Sequence, residues 1–176
     1  MNESNIFNLD IPHAAQLHVV IDRHSTMLKW QFARFDNLPI RDWYAASSAR
    51  VDVFVMEQNC PFQDNDGADF HSWHLLGWHG KTRELAAYCR IVDAGVKFAE
   101  PSIGRVVTPR GFRLKGFGRV LMAEAVKRHE NLYPGQPNRI GAQQRLEKFY
   151  EDFGFKTASD TYIEDGIPHV EMLRTA

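Results

Sequence analysis

The sequence contains few cysteines, no long apolar run and almost no net charge. Cys60 and Cys89 are too few for a disulfide framework, so we expect a reducing, cytoplasmic setting. No stretch approaches the roughly 18 consecutive apolar residues of a membrane span, and residues 1–10 lack a basic segment before an apolar run, so neither a membrane partner nor a signal peptide is expected. The 21 basic and 22 acidic residues nearly cancel, which argues against nucleic acid as a partner.

The composition instead predicts a single folded domain. The 176 residues are 44% hydrophobic and 12% aromatic, which excludes a disordered chain. Residues 1–26 show no sustained periodicity and are interpreted as an N-terminal extension that adds at most one strand. Residues 27–176 are predicted to form one domain, because their length suits a single core.

From residue 28 onward the pattern predicts the order β-α-β-β-β-α-β-α-β-β. Alternation and aromatic residues predict a strand over residues 28–35. Other strand-like runs predict strands over residues 72–78, 84–92, 102–107, 139–142, 157–163 and 167–173. Apolar stripes with suitable end signals predict helices over residues 39–54, 116–130 and 145–153. This order indicates the α/β class with a mixed sheet.

The strongest chemical signal is the turn at residues 113–118 (RLKGFG), between a predicted strand and a predicted helix. Glycines at a helix N-terminus expose backbone N–H groups, and the helix dipole favours an anion there. Five basic residues and no acidic one lie between Arg105 and Arg119. Neither ATP nor NAD is favoured, because Phe117-Gly118 replaces the Lys-Ser/Thr of a P-loop and Leu121 replaces the third glycine of a dinucleotide fingerprint.

In its context this turn resembles the acetyl-CoA motif of the GNAT N-acetyltransferase superfamily. Residues 103–109 (IGRVVTP) precede it, and residues 149–155 (FYEDFGF) resemble the second motif of that superfamily. The resemblance narrows to the ElaA-like family through residues 53–61 (VFVMEQNCP), 74–76 (HLL), 142–143 (AQ) and 162–169 (YIEDGIPH). It covers roughly residues 27–174, nearly everything but the extension.

This resemblance implies the acyl-CoA N-acyltransferase fold, α/β with a mostly antiparallel sheet flanked by helices and splayed near the strand that ends at Val107. It also implies acetyl-CoA as cosubstrate and no metal. The cofactor-binding residues that it implies are Val106, Val107, Arg113, Leu114, Lys115, Gly116, Phe117, Gly118, Arg119 and Gln144. Backbone groups of Val106 and Val107 would pair with pantetheine, and N–H groups of residues 114–119 would hold the pyrophosphate. Leu114 departs from the family pattern, which often has glycine at this position.

Transfer to an amine requires groups that move protons. An amine with a pKa near ~10.4 must lose a proton to a base before it attacks. The thioester oxygen gains negative charge in the transition state and needs a hydrogen-bond donor. The departing thiolate needs an acid that gives it a proton. The backbone N–H of Val107 is the candidate donor. Tyr150 is the candidate acid, because related enzymes place a tyrosine facing the sulfur here; the alternative is an aromatic that packs beside Phe149 and Phe153. No Cys–His pair is visible in the sequence, so we expect direct transfer of the acetyl group to the amine without an acyl-enzyme intermediate.

Three residues are candidates for the general base that takes the proton from the amine. Glu57, at the end of the first predicted helix region, is the first candidate, and a solvated loop carboxylate is the alternative. His74 and His169 also suit proton transfer, although a strand histidine is more often packed. Together with Asp165 they are the candidate substrate-binding residues.

Charge patterning favours a cationic amine acceptor. Asp52, Glu57, Asp64, Asp66 and Asp69 precede Gly80, and four further acids lie between Thr157 and Leu173, with no Lys or Arg in either segment. Such segments would attract a positively charged amine. Zinc is not expected, because His71, His74 and His79 would alternate between the faces of a strand.

Two other functions remain open, a non-catalytic acyl-CoA-binding regulator and a scaffold protein that docks through a sheet edge. The acceptor is expected to be a small molecule or a peptide amine. The sequence leaves the oligomeric state open between a monomer and a homodimer, although similar domains often form dimers.

Overall fold

The computed structural model describes residues 16–21 and 27–175, and the side chains from residue 28 onward. Five strands form the first sheet in sequential order, β1 (Gln16–Ile21), β2 (Met27–Arg34), β3 (Ser72–His79), β4 (Leu85–Val92) and β5 (Ser102–Val107). Four strands form the second sheet, β6 (Asn138–Gln143), β7 (Lys156–Thr157), β8 (Tyr162–Glu164) and β9 (Ile167–Arg174), and β9 pairs with the other three. The described strand pairs are antiparallel. The predicted extension lies outside the described residues except for β1.

Three helices accompany the sheets, α1 (Ile40–Arg50), α2 (Phe117–Leu132) and α3 (Glu147–Glu151). α1 continues without a break into a π-helical segment, Val51–Glu57. No helix in the described ranges is both long and apolar enough to cross a membrane.

Strand β4 is buried along its whole length because helices cover both faces of the first sheet. Cys89 and Ile91 belong to the core cluster that includes Phe117 and Leu121 of α2. Leu85 and Tyr88 belong to a second cluster with the alanines of α1. Continuous burial explains why residues 85–92 read as an apolar run rather than as an alternating strand.

The register between β4 and β5 shifts between Tyr88 and Arg90. Tyr88 pairs with Val107 and Arg90 pairs with Gly104, so Cys89 alone lies opposite both Arg105 and Val106. Two residues against one define a β-bulge, and Arg105 has a left-handed φ of 51° there.

Hydrogen bonds join the two sheets where β5 and β6 begin. The N–H of Arg139 donates to the carbonyl of Pro101 (3.2 Å), and the N–H of Ile103 donates to Oδ1 of Asn138 (3.4 Å). Further along, the strands diverge and a cavity opens between them. The expected α/β fold with a splayed, mostly antiparallel sheet is confirmed.

Three predicted elements differ in extent. The single strand expected over 157–163 is two short strands, β7 and β8, because residues 158–161 bend outward and bond to Glu171. The N–H of Ala158 donates to the Glu171 carbonyl, and the Glu171 N–H donates to Ser159 Oγ, both over 2.8 Å. The last helix is shorter than expected and follows a 3₁₀ turn, Gln144–Leu146. The first helix extends beyond residue 54 through its π-helical continuation.

Candidate active site

A cavity of about 1090 Å³ opens between β5 and β6. Its wall also includes the π-helical segment, the start of α2, α3 and the β8–β9 hairpin. Seven of the predicted site residues line it: Glu57, Val106, Arg113, Gly118, Tyr150, Asp165 and His169. The other eight lie around or behind this wall.

The glycine turn presents open backbone donors at one side of the cavity. Gly116 precedes α2 with φ 75°, and no side chain caps this end of the helix within the described structure. The first-turn N–H groups of Phe117 and Gly118 therefore have no acceptor within the helix. A Cβ at Gly118 would lie 3.6 Å from Thr108 Oγ1, an ordinary contact, so packing alone does not require glycine there. The turn therefore fits a diphosphate that approaches the bare backbone.

Most basic side chains near the turn already have protein partners. Arg113 lies 2.8 Å from Oε2 of Glu57 through Nη2, and its Nε donates to the Thr108 carbonyl (3.1 Å). Arg119 lies 2.8 Å from Oδ2 of Asp152, and Lys115 Nζ donates to the Gly111 carbonyl (2.9 Å). The Leu114 side chain is fully exposed. The backbone of the turn is therefore more open to an anion than its side chains are.

Tyr150 reaches the cavity from the short helix α3. It is 8% exposed, and burial raises the pKa of its phenol, with a further contribution from the neighbouring Cys89. Burial also raises the pKa of the Cys89 thiol, which therefore stays protonated. A phenol that keeps its proton at neutral pH is suited to donate that proton to a departing thiolate.

His74 does not reach the cavity, contrary to the expectation that it contacts substrate. Its side chain is 0% exposed because it lies between α1 and the first sheet. Nε2 donates to the Asp69 carbonyl (3.1 Å), and Nδ1 accepts from the Tyr88 hydroxyl (2.8 Å). Burial lowers the His74 pKa to about 4, so the imidazole is neutral near pH 7. Its role is structural.

Seven of the predicted cofactor-binding residues do not line the cavity, and four of these, Leu114, Lys115, Gly116 and Arg119, belong to the turn described above. Phe117 is buried in the core, and only its backbone belongs to the exposed turn. Val107 is buried and pairs with Tyr88, whereas its neighbours Val106 and Thr108 line the cavity. Gln144 is exposed and donates from Nε2 to Thr161 Oγ1 (2.9 Å).

Two of the three candidate bases, Glu57 and His169, line the cavity. Glu57 is paired with Arg113, as described above. His169 donates from Nδ1 to the carbonyl of Ile167 (2.8 Å), and its ring stacks on Tyr162 at a centroid distance of 5.9 Å. This hydrogen bond leaves Nε2 of a neutral His169 as the proton acceptor.

The acidic segment before Gly80 does not present the free negative charge expected from its sequence. Asp64 and Asp69 lie 2.8 and 2.7 Å from the guanidinium of Arg50. Asp66 lies 2.7 Å from Arg90, which also lowers the pKa of this carboxyl although burial opposes the shift. The steering expectation is therefore wrong for these three acids, because arginines from other elements neutralise them.

Negative charge is more available at the β8–β9 hairpin. Glu164 and Asp165 line the cavity, and neither has an ion-pair partner within the described part of the chain. Glu171 also lines it but lies 2.9 Å from Arg139. Burial raises the pKa of the Tyr162 phenol, and Glu164 and Glu171 add to this shift.

Within the described ranges, no cluster of three or more His, Cys, Asp or Glu residues has the geometry of a metal site.

Sequence reasoning missed several residues of the wall. Arg105 was counted in the basic block expected to face an anion, but its guanidinium lies 2.7 Å from Asp64. Tyr162 stood inside a recognised motif without an assigned role, and Glu164 was counted only among the acids expected to attract a cationic amine. Phe54, Phe62 and Phe98 also line the cavity, and no short pattern marks them.

Comparison with known proteins gives consistent matches. A family model for the acetyltransferase (GNAT) domain matches residues 79–176. The chain is 39% identical over 150 residues to the protein ElaA of Escherichia coli strain K12, which covers 84% of this chain and 97% of that protein. The crystal structure of Escherichia coli ElaA superposes with a TM-score of 0.78, over 84% of this chain and 99% of that one. An acyl-CoA N-acyltransferase from Pseudomonas aeruginosa is 35% identical with a TM-score of 0.79, over the same shares.

Proposed function

The chain belongs to the GNAT acetyltransferase family, in its ElaA-like branch, and is an acyltransferase that uses an acyl-CoA; we propose that it transfers an acetyl group from acetyl-CoA to a primary amine by direct attack in a ternary complex. The observation that carries this proposal is the composition of one cavity wall. The open start of α2, the buried phenol of Tyr150 and the acids of the β8–β9 hairpin all border the same space.

The cofactor half of the proposed site uses mainly backbone. N–H groups of residues 114–119 would hold the diphosphate, with Lys115 and Arg119 as charged neighbours, and backbone groups of Val106 and Val107 would pair with the pantetheine arm. Gly118 supports this arrangement because a Cβ at this position would contact only Thr108 Oγ1, which leaves room beside the Cα for the diphosphate. Acetyl-CoA supplies the activated thioester when bound.

The acceptor half would hold the amine near Asp165 and His169. Their hairpin carries the unpaired carboxylates of the cavity, which favour a cationic group. Before attack the ammonium must lose a proton, and Glu57 is the proposed base, directly or through a water molecule. His169 is the second candidate, since its Nε2 is free to accept a proton.

Tyr150 is the proposed acid. Its phenol stays protonated near neutral pH because burial raises its pKa, so a proton is available to the thiolate as the C–S bond breaks. The nitrogen loses two protons in all, one to the base before attack and one as the tetrahedral intermediate collapses. The sulfur receives one proton from Tyr150 as the C–S bond breaks, and the second nitrogen proton restores the phenol, so one proton is released overall.

The test is to incubate the protein with acetyl-CoA and a panel of primary amines, and to follow free thiol together with the mass of the amine product. Acetylated amine formed with equal thiol supports the proposal. No thiol release with any amine, while coenzyme A still binds, would instead favour the non-catalytic regulator. Replacement of Glu57 or of His169 by Gln then separates the two candidate bases, because only loss of the base should abolish turnover while coenzyme A still binds.

A further inference from the structure

Arg105 occupies a strained backbone position in the strand that borders the cavity. Its φ of 51° lies in the left-handed region, where a residue with a Cβ is disfavoured. The other described non-glycine residues with positive φ, at positions 59, 83, 114 and 165, lie in turns or loops, whereas Arg105 lies inside β5. Such a conformation persists only when surrounding contacts hold it.

The contacts that hold Arg105 come from outside its own strand. Nε lies 2.7 Å from Asp64 Oδ1, and Nη2 lies 3.4 Å from Asp66 Oδ2. The guanidinium also lies over two aromatic rings, with its carbon 5.3 Å from the centre of Phe62 and 5.8 Å from that of Phe54. The side chain is therefore fastened to the segment between α1 and β3.

The aspartate that holds Arg105 is itself held by a second arginine. Asp64 is buried, and its second carboxylate oxygen accepts from Arg50 Nε (2.8 Å). Its carbonyl accepts from Arg50 Nη2 (2.9 Å). Arg50 is completely buried at the end of α1, so the chain Arg50–Asp64–Arg105 links a helix in the core to the backbone of β5.

This link acts at the bulge that interrupts the β4–β5 ladder. Arg105 and Val106 both lie opposite Cys89, and Gly104, Arg105 and Val106 all line the cavity. We infer that Arg105 is a positioning residue, whose guanidinium holds the bulge so that the backbone of residues 104–107 keeps the orientation in which it receives the acyl-CoA arm. The binding part of this inference rests on the proposed function.

The test compares two arginines that share a backbone conformation. Arg105→Gly removes the fastened side chain and leaves a residue that adopts positive φ without strain. Arg83→Gly is the matched control, because Arg83 has φ 56° in the exposed turn between β3 and β4. We expect Arg105→Gly to weaken coenzyme A binding by about tenfold or more in calorimetry, and Arg83→Gly to leave it unchanged.

Amide hydrogen exchange on the unliganded proteins gives a second readout. Exchange at residues 104–107 is expected to be faster in Arg105→Gly than in the wild type, and unchanged in Arg83→Gly. Arg105→Lys keeps the positive charge but loses the planar guanidinium, so its exchange rate and coenzyme A affinity should lie between those of the wild type and Arg105→Gly. This variant replaces Arg105→Gly in the test if the glycine variant does not fold.

The two proposals can fail separately. If the wild type does not bind coenzyme A, the proposed function is wrong, and the exchange comparison still decides whether Arg105 holds β5. A lower melting temperature in Arg105→Gly, with wild-type exchange at residues 104–107 and wild-type coenzyme A affinity, would show that Arg105 only stabilises the fold and would overturn the inference.

Discussion

The carboxylate of Glu57 lies 2.8 Å from the Arg113 guanidinium, so the proposed base is ion-paired with a proposed cofactor-binding residue. Glu57 ends the π-helical segment after α1, and Arg113 begins the turn before α2. A bound diphosphate would add negative charge near Arg113. This pair therefore connects the two halves of the proposed site through one contact.

Glu57→Gln should separate catalysis from cofactor binding. Without a proton acceptor at this position, turnover should fall by about 10²-fold or more, whereas coenzyme A affinity should stay equal or rise because Arg113 loses its anionic partner. Steady-state kinetics and calorimetry measure the two quantities. The control is Glu84→Gln, an exposed carboxylate between β3 and β4. Wild-type turnover in Glu57→Gln would transfer the role of base to His169.

Tyr150→Phe should lower kcat by about 10²-fold and leave coenzyme A affinity unchanged, since only the proton donor is lost. The aromatic ring that packs in the core remains. Tyr44→Phe, on the exposed face of α1, is the matched control and should behave as the wild type. A parallel loss of kcat, affinity and melting temperature in Tyr150→Phe would identify Tyr150 as a packing residue.

Gly118→Ala should keep the fold and weaken cofactor binding. The added methyl group would meet only Thr108 Oγ1, at 3.6 Å, so the melting temperature should hardly change. In the proposed complex the same methyl group would lie against the diphosphate, and coenzyme A affinity should fall by about tenfold. Gly111→Ala is the control, because a Cβ there meets nothing within 4 Å. Equal coenzyme A affinity in both variants would contradict the placement of the diphosphate.

Stability should decrease as the pH falls from 6.5 towards 4 because of His74. Burial lowers its pKa from 6.5 to about 4 in the folded state, so the unfolded chain binds the proton first as the pH falls. By linkage, protonation of His74 should lower the free energy of unfolding by roughly 2 kcal/mol between pH 7 and pH 4.5.

Urea unfolding at pH 7 and pH 4.5 measures this loss. His74→Gln, which can keep one donor and one acceptor, should be less stable at pH 7 but should lose roughly 2 kcal/mol less than the wild type on acidification. His71→Gln, at an exposed position, should show the wild-type difference. The same pH dependence in His74→Gln and the wild type would refute this assignment. The range stops at pH 4.5 because Asp66 and Asp69, whose pKa values are lowered, begin to lose their contribution only below their ordinary value of 3.8.

The sequence alone was sufficient for elements whose signals are local. The strand over 102–107 was predicted with its observed bounds, and the helix after Gly116 with its observed start to within one residue. Glycine conformation, backbone hydrogen bonding and apolar periodicity act over a few residues, so the glycine turn and its helix could be predicted without tertiary contacts. The family could be recognised for a related reason, because its motifs are short and occur in a fixed order.

Tertiary structure decided which charges and side chains remain available. Asp64 and Asp69 look like free acids in a segment without a basic residue, yet Arg50, 14 and 19 positions away, neutralises both. His74 looked like a substrate contact, but it is buried because helix α1 covers its face of the sheet. Ion pairing and burial depend on packing between distant segments, and no local pattern encodes that packing.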